Sequence, residues 1–136
     1  MALRKAVILL IDDSDIDRTI YGRYLRDWAD VEVKLIEAAT GKAALEECRK
    51  SPPDCIILDY RLPDMDGLEL LEKLKRITEA PVIFITGQPA PMMLTRAQSL
   101  GIAGYLWKEV LGSARLRETI LSALKVCALA VVGLRA

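Results

Sequence analysis

The stretch Ala6-Val7-Ile8-Leu9-Leu10-Ile11-Asp12-Asp13 decides how this chain of 136 residues is read. An unbroken aliphatic run marks a strand covered on both faces, as in a parallel sheet; a half-exposed strand would alternate with polar residues. Preceded by Arg4 and Lys5, the run superficially imitates a secretory leader. It is too short for one, however, and it ends in two acids with no small-residue cleavage site. Working outward, similar runs recur at Val31–Glu37, Cys55–Leu58, Val82–Ile85 and Gly104–Trp107, each followed by a segment of helical period. Ser14 is placed to cap the first helix, with Asp15 and Asp17 complementing its dipole and Ile16, Ile20, Tyr24 and Trp28 as its apolar stripe. The second helix starts near Gly41 and stops before Ser51-Pro52-Pro53. The third spans Gly67 to Ile77 with Leu68, Leu71 and Leu74 inward, and the fourth spans Met92–Leu100, delayed by Pro89 and Pro91. The fifth begins near Ser113 and buries Leu116, Ile120, Leu124 and Cys127. Five βα units predict an α/β fold, a doubly wound five-stranded parallel sheet of flavodoxin-like order 2-1-3-4-5 with five flanking helices.

Composition removes several function classes. Lys+Arg and Asp+Glu both number 19, so no global basic field exists to hold nucleic acid directly, and no segment reaches the length needed for membrane insertion. The chain has no histidine, which excludes His-dependent triads, His metal sites and any phospho-relaying histidine of its own. Cys48, Cys55 and Cys127 lack metal or redox spacing, and a reducing, cytoplasmic setting suits them.

In open α/β sheets ligands bind beyond the carboxyl ends of the strands. There this sequence places Asp12 and Asp13, Asp59, Thr86 and Lys108. At roughly 5 Å and an effective dielectric near 20, each pair of carboxylates costs about 3 kcal/mol, so the cluster calls for a cation or a proton. All-oxygen donors favour a hard divalent ion, Mg²⁺ above all. An aspartate in the position of Asp59 can be a metal ligand, a base or a nucleophile toward phosphorus. Lys108 supplies a compact cation for a transferring phosphoryl group, and Thr86 a hydroxyl.

These motifs, with Leu62-Pro63-Asp64-Met65-Asp66-Gly67, Pro81-Val82-Ile83-Phe84-Ile85-Thr86-Gly87 and Gly101-Ile102-Ala103-Gly104-Tyr105-Leu106-Trp107-Lys108, resemble the receiver domain of bacterial two-component response regulators over about residues 5–125. The resemblance implies a phosphorylation-controlled switch rather than an enzyme. In it Asp59 is the phosphoacceptor, served by a sensor histidine kinase or a histidine phosphotransfer protein. Asp13 and Asp59 would ligate Mg²⁺ directly, with the backbone carbonyl of Arg61 as a third ligand and Asp12 acting through a metal-bound water. Lys108 would pair with the phosphoryl oxygens, and Thr86 would swing toward them, vacating space that Tyr105 fills by turning inward. The output partner or effector domain is left unspecified.

Three departures from the family pattern stand out. Glu109 replaces the proline that usually follows the lysine, which is expected to loosen Lys108 or reshape its loop. Gln88-Pro89-Ala90-Pro91 and the short spacing from Asp59 to Thr86 point to an altered fourth helix. Arg61 puts a long cation near the path of the attacking water, where it is expected to affect dephosphorylation. Residues 1–125 are expected to form the receiver domain. The apolar tail 126–136 reads either as a helix extension suited to a homodimer contact or as a remnant of processing. Two other readings of the same residues are a pseudo-receiver that binds proteins without being phosphorylated and an Mg²⁺-dependent phosphohydrolase with Asp59 as nucleophile. In the latter, Arg61 stands where such hydrolases carry a second acid.

Overall fold

A computed structural model describes residues 4–87 and 90–135, with side chains to Lys125. Five strands, β1 (Arg4–Ile11), β2 (Val31–Ala38), β3 (Cys55–Asp59), β4 (Val82–Thr86) and β5 (Gly104–Trp107), pair in parallel in the order β2-β1-β3-β4-β5. Helices α1 (Asp15–Leu25), α2 (Gly41–Lys50), α3 (Gly67–Ile77), α4 (Pro91–Ser99) and α5 (Ser113–Arg135) connect and flank them. The continuous apolar runs are explained by the two cores. Ala6, Ile8, Leu10, Ile57, Ile83 and Ile85 face α1 and α5, while Leu9, Ile11, Ile56, Leu58, Val82 and Phe84 face α2, α3 and α4. Side chains alternate between two layers that are both closed to water, so the period-2 signal vanishes from the sequence.

Local chemistry fixes the helix ends. Ser14 Oγ accepts from the Asp17 amide at 3.1 Å, Thr40 Oγ1 from Ala43 at 3.0 Å and Asp66 Oδ1 from Glu69 at 2.8 Å, each a side-chain N-cap. Asp64 reaches across to α2, accepting from the amides of Gly41 and Lys42 at 2.8 and 2.9 Å, which ties the loop after β3 to a second helix and lowers the Asp64 pKa. Helix α4 lacks a side-chain cap and starts with Pro91 in its first turn, where a missing amide hydrogen does no harm.

The inward faces of two helices differ from expectation. In α1 the buried residues are Tyr21 and Leu25, with Trp28 packed just past the helix end, whereas Ile16 is 73% exposed. Steps of four advance about 400° around a helix, so a stripe built only on them drifts off the core within three steps. Trp28 is set instead by the turn at Asp27, whose φ is 56°. In α3, Leu70 joins Leu71 and Leu74 in the core, and Leu68 is only half-buried. In α5, Leu116, Ile120 and Leu124 are buried as expected, with Ala123 beside them. Cys127 and the apolar side chains of the tail lie outside the described side chains, as do Gln88 and Pro89 outside the described residues. Among the described residues no helix is long and apolar enough to cross a membrane.

Candidate functional site

The parallel register builds the site. Ile11 pairs with Leu58 and Asp59 with Ile85, so the residue that follows β1, Asp12, comes to rest beside the residue that closes β3. The Asp12 amide donates to the Ala38 carbonyl at 3.0 Å and its Oδ1 accepts from the Ser14 amide at 2.9 Å, which fixes the carboxylate at the sheet edge. Thr86 pairs with Trp107 at the ends of β4 and β5, and Lys108 follows at once in a single 3-10 turn, Lys108–Val110. Tight packing beneath the loop that follows β3 needs Gly67. Its amide donates to the Tyr60 carbonyl at 2.6 Å, and a Cβ there would lie 2.7 Å from Phe84 Cζ and 2.8 Å from the Tyr60 backbone.

The five residues expected at the strand ends do converge. One carboxylate oxygen from each of Asp12, Asp13 and Asp59 lies within 4.8 Å of the others, a set able to hold a metal ion. The Lys108 ammonium sits 3.5 Å from Asp59 Oδ1 and 3.4 Å from Asp12 Oδ2. Asp12, Asp59 and Thr86 are the buried polar side chains among the described residues, while Asp13 is exposed toward solvent. Asp13, Asp59, Arg61, Thr86 and Lys108 line one cleft of about 570 Å³. Arg61 is exposed at its mouth and forms an isolated bridge with Asp66. The Tyr105 ring packs against the core on the side of α2, α3 and α4. Its hydroxyl is buried with no hydrogen-bond partner among the described residues, and burial raises its pKa.

Crowding of like charges shows in the proton affinities. Burial first, and the Asp12 carboxylate second, push the Asp59 pKa up to about 7, and burial raises Asp12 as well. For Lys108, burial alone would favour the neutral amine. The hydrogen bond to Asp17 and the charges of Asp59 and Asp12 outweigh it, so its pKa is raised and the ammonium stays charged. Beside Glu109, the Lys108 ammonium lies within ion-pair distance of three carboxylates.

The third of those carboxylates is Asp17, at 2.9 Å, and the sequence did not mark it as a site residue. Its place in the first turn of a capped helix suggested a dipole partner. It lines the same cleft as Asp13, but Asp13 precedes the N-cap Ser14 and lies outside the helix, so no helical spacing joined the two in the sequence.

A parallel α/β sheet with three acids and a lysine gathered at its carboxyl edge belongs among folds that hold phosphate or metal there. The model of the response regulator receiver domain matches residues 8–121, and the chain belongs to that family. It is 36% identical over 104 residues to a protein-glutamate methylesterase/protein-glutamine glutaminase of Desulfotalea psychrophila, covering 74% of this chain and 28% of the relative. The Escherichia coli K12 protein of the same name is 33% identical over 123 residues, covering 88% of this chain and 34% of the relative. The chain thus spans about a third of the length of these curated relatives. Among solved structures, the signal receiver domain of a Luxo repressor protein from Vibrio parahaemolyticus superposes with a TM-score of 0.84 at 27% identity, covering 96% of this chain and 97% of that one.

Proposed function

We propose that this receiver domain accepts a phosphoryl group on Asp59 from a phosphohistidine of a sensor kinase or histidine phosphotransfer protein, and passes the change to a downstream effector. One observation carries the reading: the oxygens of Asp12, Asp13 and Asp59 lie within 4.8 Å of one another with the Lys108 ammonium 3.5 Å from Asp59. The all-oxygen donor set fits Mg²⁺, with Asp13, Asp59 and the Arg61 carbonyl as ligands and Asp12 acting through water. When bound, the ion supplies positive charge that offsets these carboxylates and the incoming phosphoryl oxygens.

The chain's own residues do the rest. An Asp59 oxygen forms a bond to phosphorus as the P–N bond to the donor imidazole breaks; the ring nitrogen keeps the electron pair and later takes a proton from solvent. The product is an acyl phosphate. Lys108 neutralises charge on the transferred group, electrostatic stabilisation being the main source of catalysis in such transfers. Thr86, buried beside Asp59 on the neighbouring strand, supplies a hydroxyl that a phosphoryl oxygen attracts. Its displacement biases the region from β4 to α5, with Tyr105 as the side chain that follows.

The domain reading takes residues 1–125 as the receiver and 126–136 as an extension of α5. In a reducing cytoplasm the acceptor would meet its kinase directly. A phosphohydrolase is disfavoured because Arg61, a cation, stands two residues after the nucleophile. The test uses Trp107, next to Lys108. Mg²⁺ with beryllium fluoride or acetyl phosphate is expected to change tryptophan fluorescence in the wild type and not in Asp59→Asn. A protein that takes up radiolabelled phosphate at no carboxylate under these conditions is a pseudo-receiver, and the assignment fails.

A further inference from the structure

The Lys108 ammonium lies nearer to Asp17 than to the acceptor: 2.9 Å against 3.5 Å, with Asp12 at 3.4 Å. The ammonium donates to Asp17 and Asp12, while Asp59 stands at ion-pair distance. Asp17 sits three residues after the N-cap Ser14, where an acid ordinarily turns back to the cap residue's amide. That amide is already taken, because the Ser14 N–H donates to Asp12 Oδ1 at 2.9 Å. The Ser14 hydroxyl meanwhile accepts from the backbone of Asp17, not from its side chain. Asp15, the other acid of this turn, is engaged by Arg18, so it does not compete for Lys108. The Asp17 carboxylate therefore has no role in closing the helix end and points into the cleft it helps line. It is half-buried, as is Lys108, so the pair is shielded from solvent more than a surface ion pair.

We propose that Asp17 is a positioning residue for Lys108: it holds the ammonium on the α1 side of the cleft and yields it when Asp59 carries phosphate. This rests on the phosphoacceptor reading of Asp59. In the resting arrangement the lysine is shared, and the acceptor receives only part of its charge. A phosphoryl group on Asp59 brings three oxygens that outcompete one carboxylate, and Lys108 moves the short distance across. Asp17 thereby restrains phosphoryl uptake and gives α1 a direct connection to the state of the acceptor.

The experiment compares wild type, Asp17→Asn and Asp17→Glu at saturating Mg²⁺, following incorporation of radiolabel from acetyl phosphate. In that reaction the Asp59 O–P bond forms, the P–O bond to acetate breaks, and acetate leaves with the electron pair. Asp17→Asn is expected to take up label roughly fivefold faster, the upper end of what a partly exposed, screened ion pair is worth. Asp17→Glu is expected to stay near the wild-type rate. A metal-free readout accompanies it: in EDTA, Lys108 of Asp17→Asn is expected to react severalfold faster with an amine-acylating reagent, scored by mass spectrometry. The same substitution in a Lys108→Gln background is expected to change uptake by less than about twofold, because the effect runs through the lysine. An undiminished gain in that background means simple charge repulsion and overturns the proposal. So does an Asp17→Asn protein with lowered stability in urea but unaltered uptake and Lys108 reactivity, which would mark a helix-start residue. If the wild type itself takes up no label, the acceptor reading of Asp59 fails, and this inference with it.

Discussion

Replacing Asp59 by asparagine should stabilise the metal-free protein by an amount that grows as the pH rises from 3.8 to about 7. In the fold its carboxyl titrates at about 7, against 3.8 in the unfolded chain, because burial and the neighbouring Asp12 both oppose its charge. A raised carboxyl pKa contributes stability that is fully present below 3.8 and is lost as the pH climbs through 7. The difference of 7 − 3.8 = 3.2 pH units, at about 1.4 kcal/mol per unit, sets a ceiling of about 4 kcal/mol. Against a total of roughly 5–15 kcal/mol for a domain, this is a large share. Asparagine has nearly the shape of the neutral acid, so it keeps the packing and removes the ionisation. Urea unfolding followed by near-UV circular dichroism in EDTA should give equal stabilities near pH 4. By pH 8 a gap of a few kcal/mol in favour of Asp59→Asn should open, equivalent to about 10 °C in Tm. Other groups titrate in both proteins, so the difference curve isolates Asp59. Mg²⁺ should close the gap by stabilising the wild type alone. An asparagine variant no more stable at pH 8 than at pH 4 would refute the account of a charge-frustrated acceptor.

Three other outcomes follow from the same geometry. Because Asp59 must lose its proton to bind a cation and titrates at about 7, Mg²⁺ affinity should fall about tenfold per pH unit below that point and level off above it, as isothermal titration between pH 5.5 and 8.5 would reveal. Arg61→Ala, which removes an exposed cation at the cleft mouth, should change the lifetime of the phosphorylated form severalfold; an unchanged lifetime would remove Arg61 from the water path. Gly67→Ala should cost about 1–3 kcal/mol by urea titration, since the added Cβ meets the Tyr60 backbone at 2.8 Å.

How far the sequence could be read depended on whether a feature was periodic or positional. Strand runs and strand order were legible because aliphatic runs between helices admit few topologies, and α3 matched its expected span, Gly67–Ile77, since Asp66 and Gly67 mark its start. The inward face of α1 was not, because Ile16, Ile20, Tyr24 and Trp28 are all apolar and the sheet, not the helix, chooses which side is covered. Asp12, Asp13, Asp59, Thr86 and Lys108 were legible as strand-end residues, a rule about topology. Asp17 was not, because its role depends on a hydrogen bond made elsewhere: Asp12 occupies the Ser14 amide and so frees the carboxylate that a capping motif would have consumed.

Charge accounts for why such a site switches rather than rests. Asp12, Asp13, Asp17 and Asp59 bring four formal negative charges to a site where Lys108 and, at the cleft mouth, Arg61 bring two positive, leaving −4 + 2 = −2 when all are ionised. Two of the acids are buried, where each unbalanced charge is far more costly than on a surface. The fold tolerates this because each strand end is fixed by neighbours unrelated to the cluster, through the Ala38 carbonyl at Asp12 and the tight Gly67 turn beneath Asp59. A site so far from neutrality can lower its energy in only a few ways: by taking up a proton, by binding a cation, or by redistributing its one lysine. Each of these depends on the chemical state of Asp59. On the proposed assignment, one covalent change at this buried carboxylate would alter which partners Lys108 and Thr86 hold, and so reach the surface formed by α1 on one side and the β4–α5 region on the other.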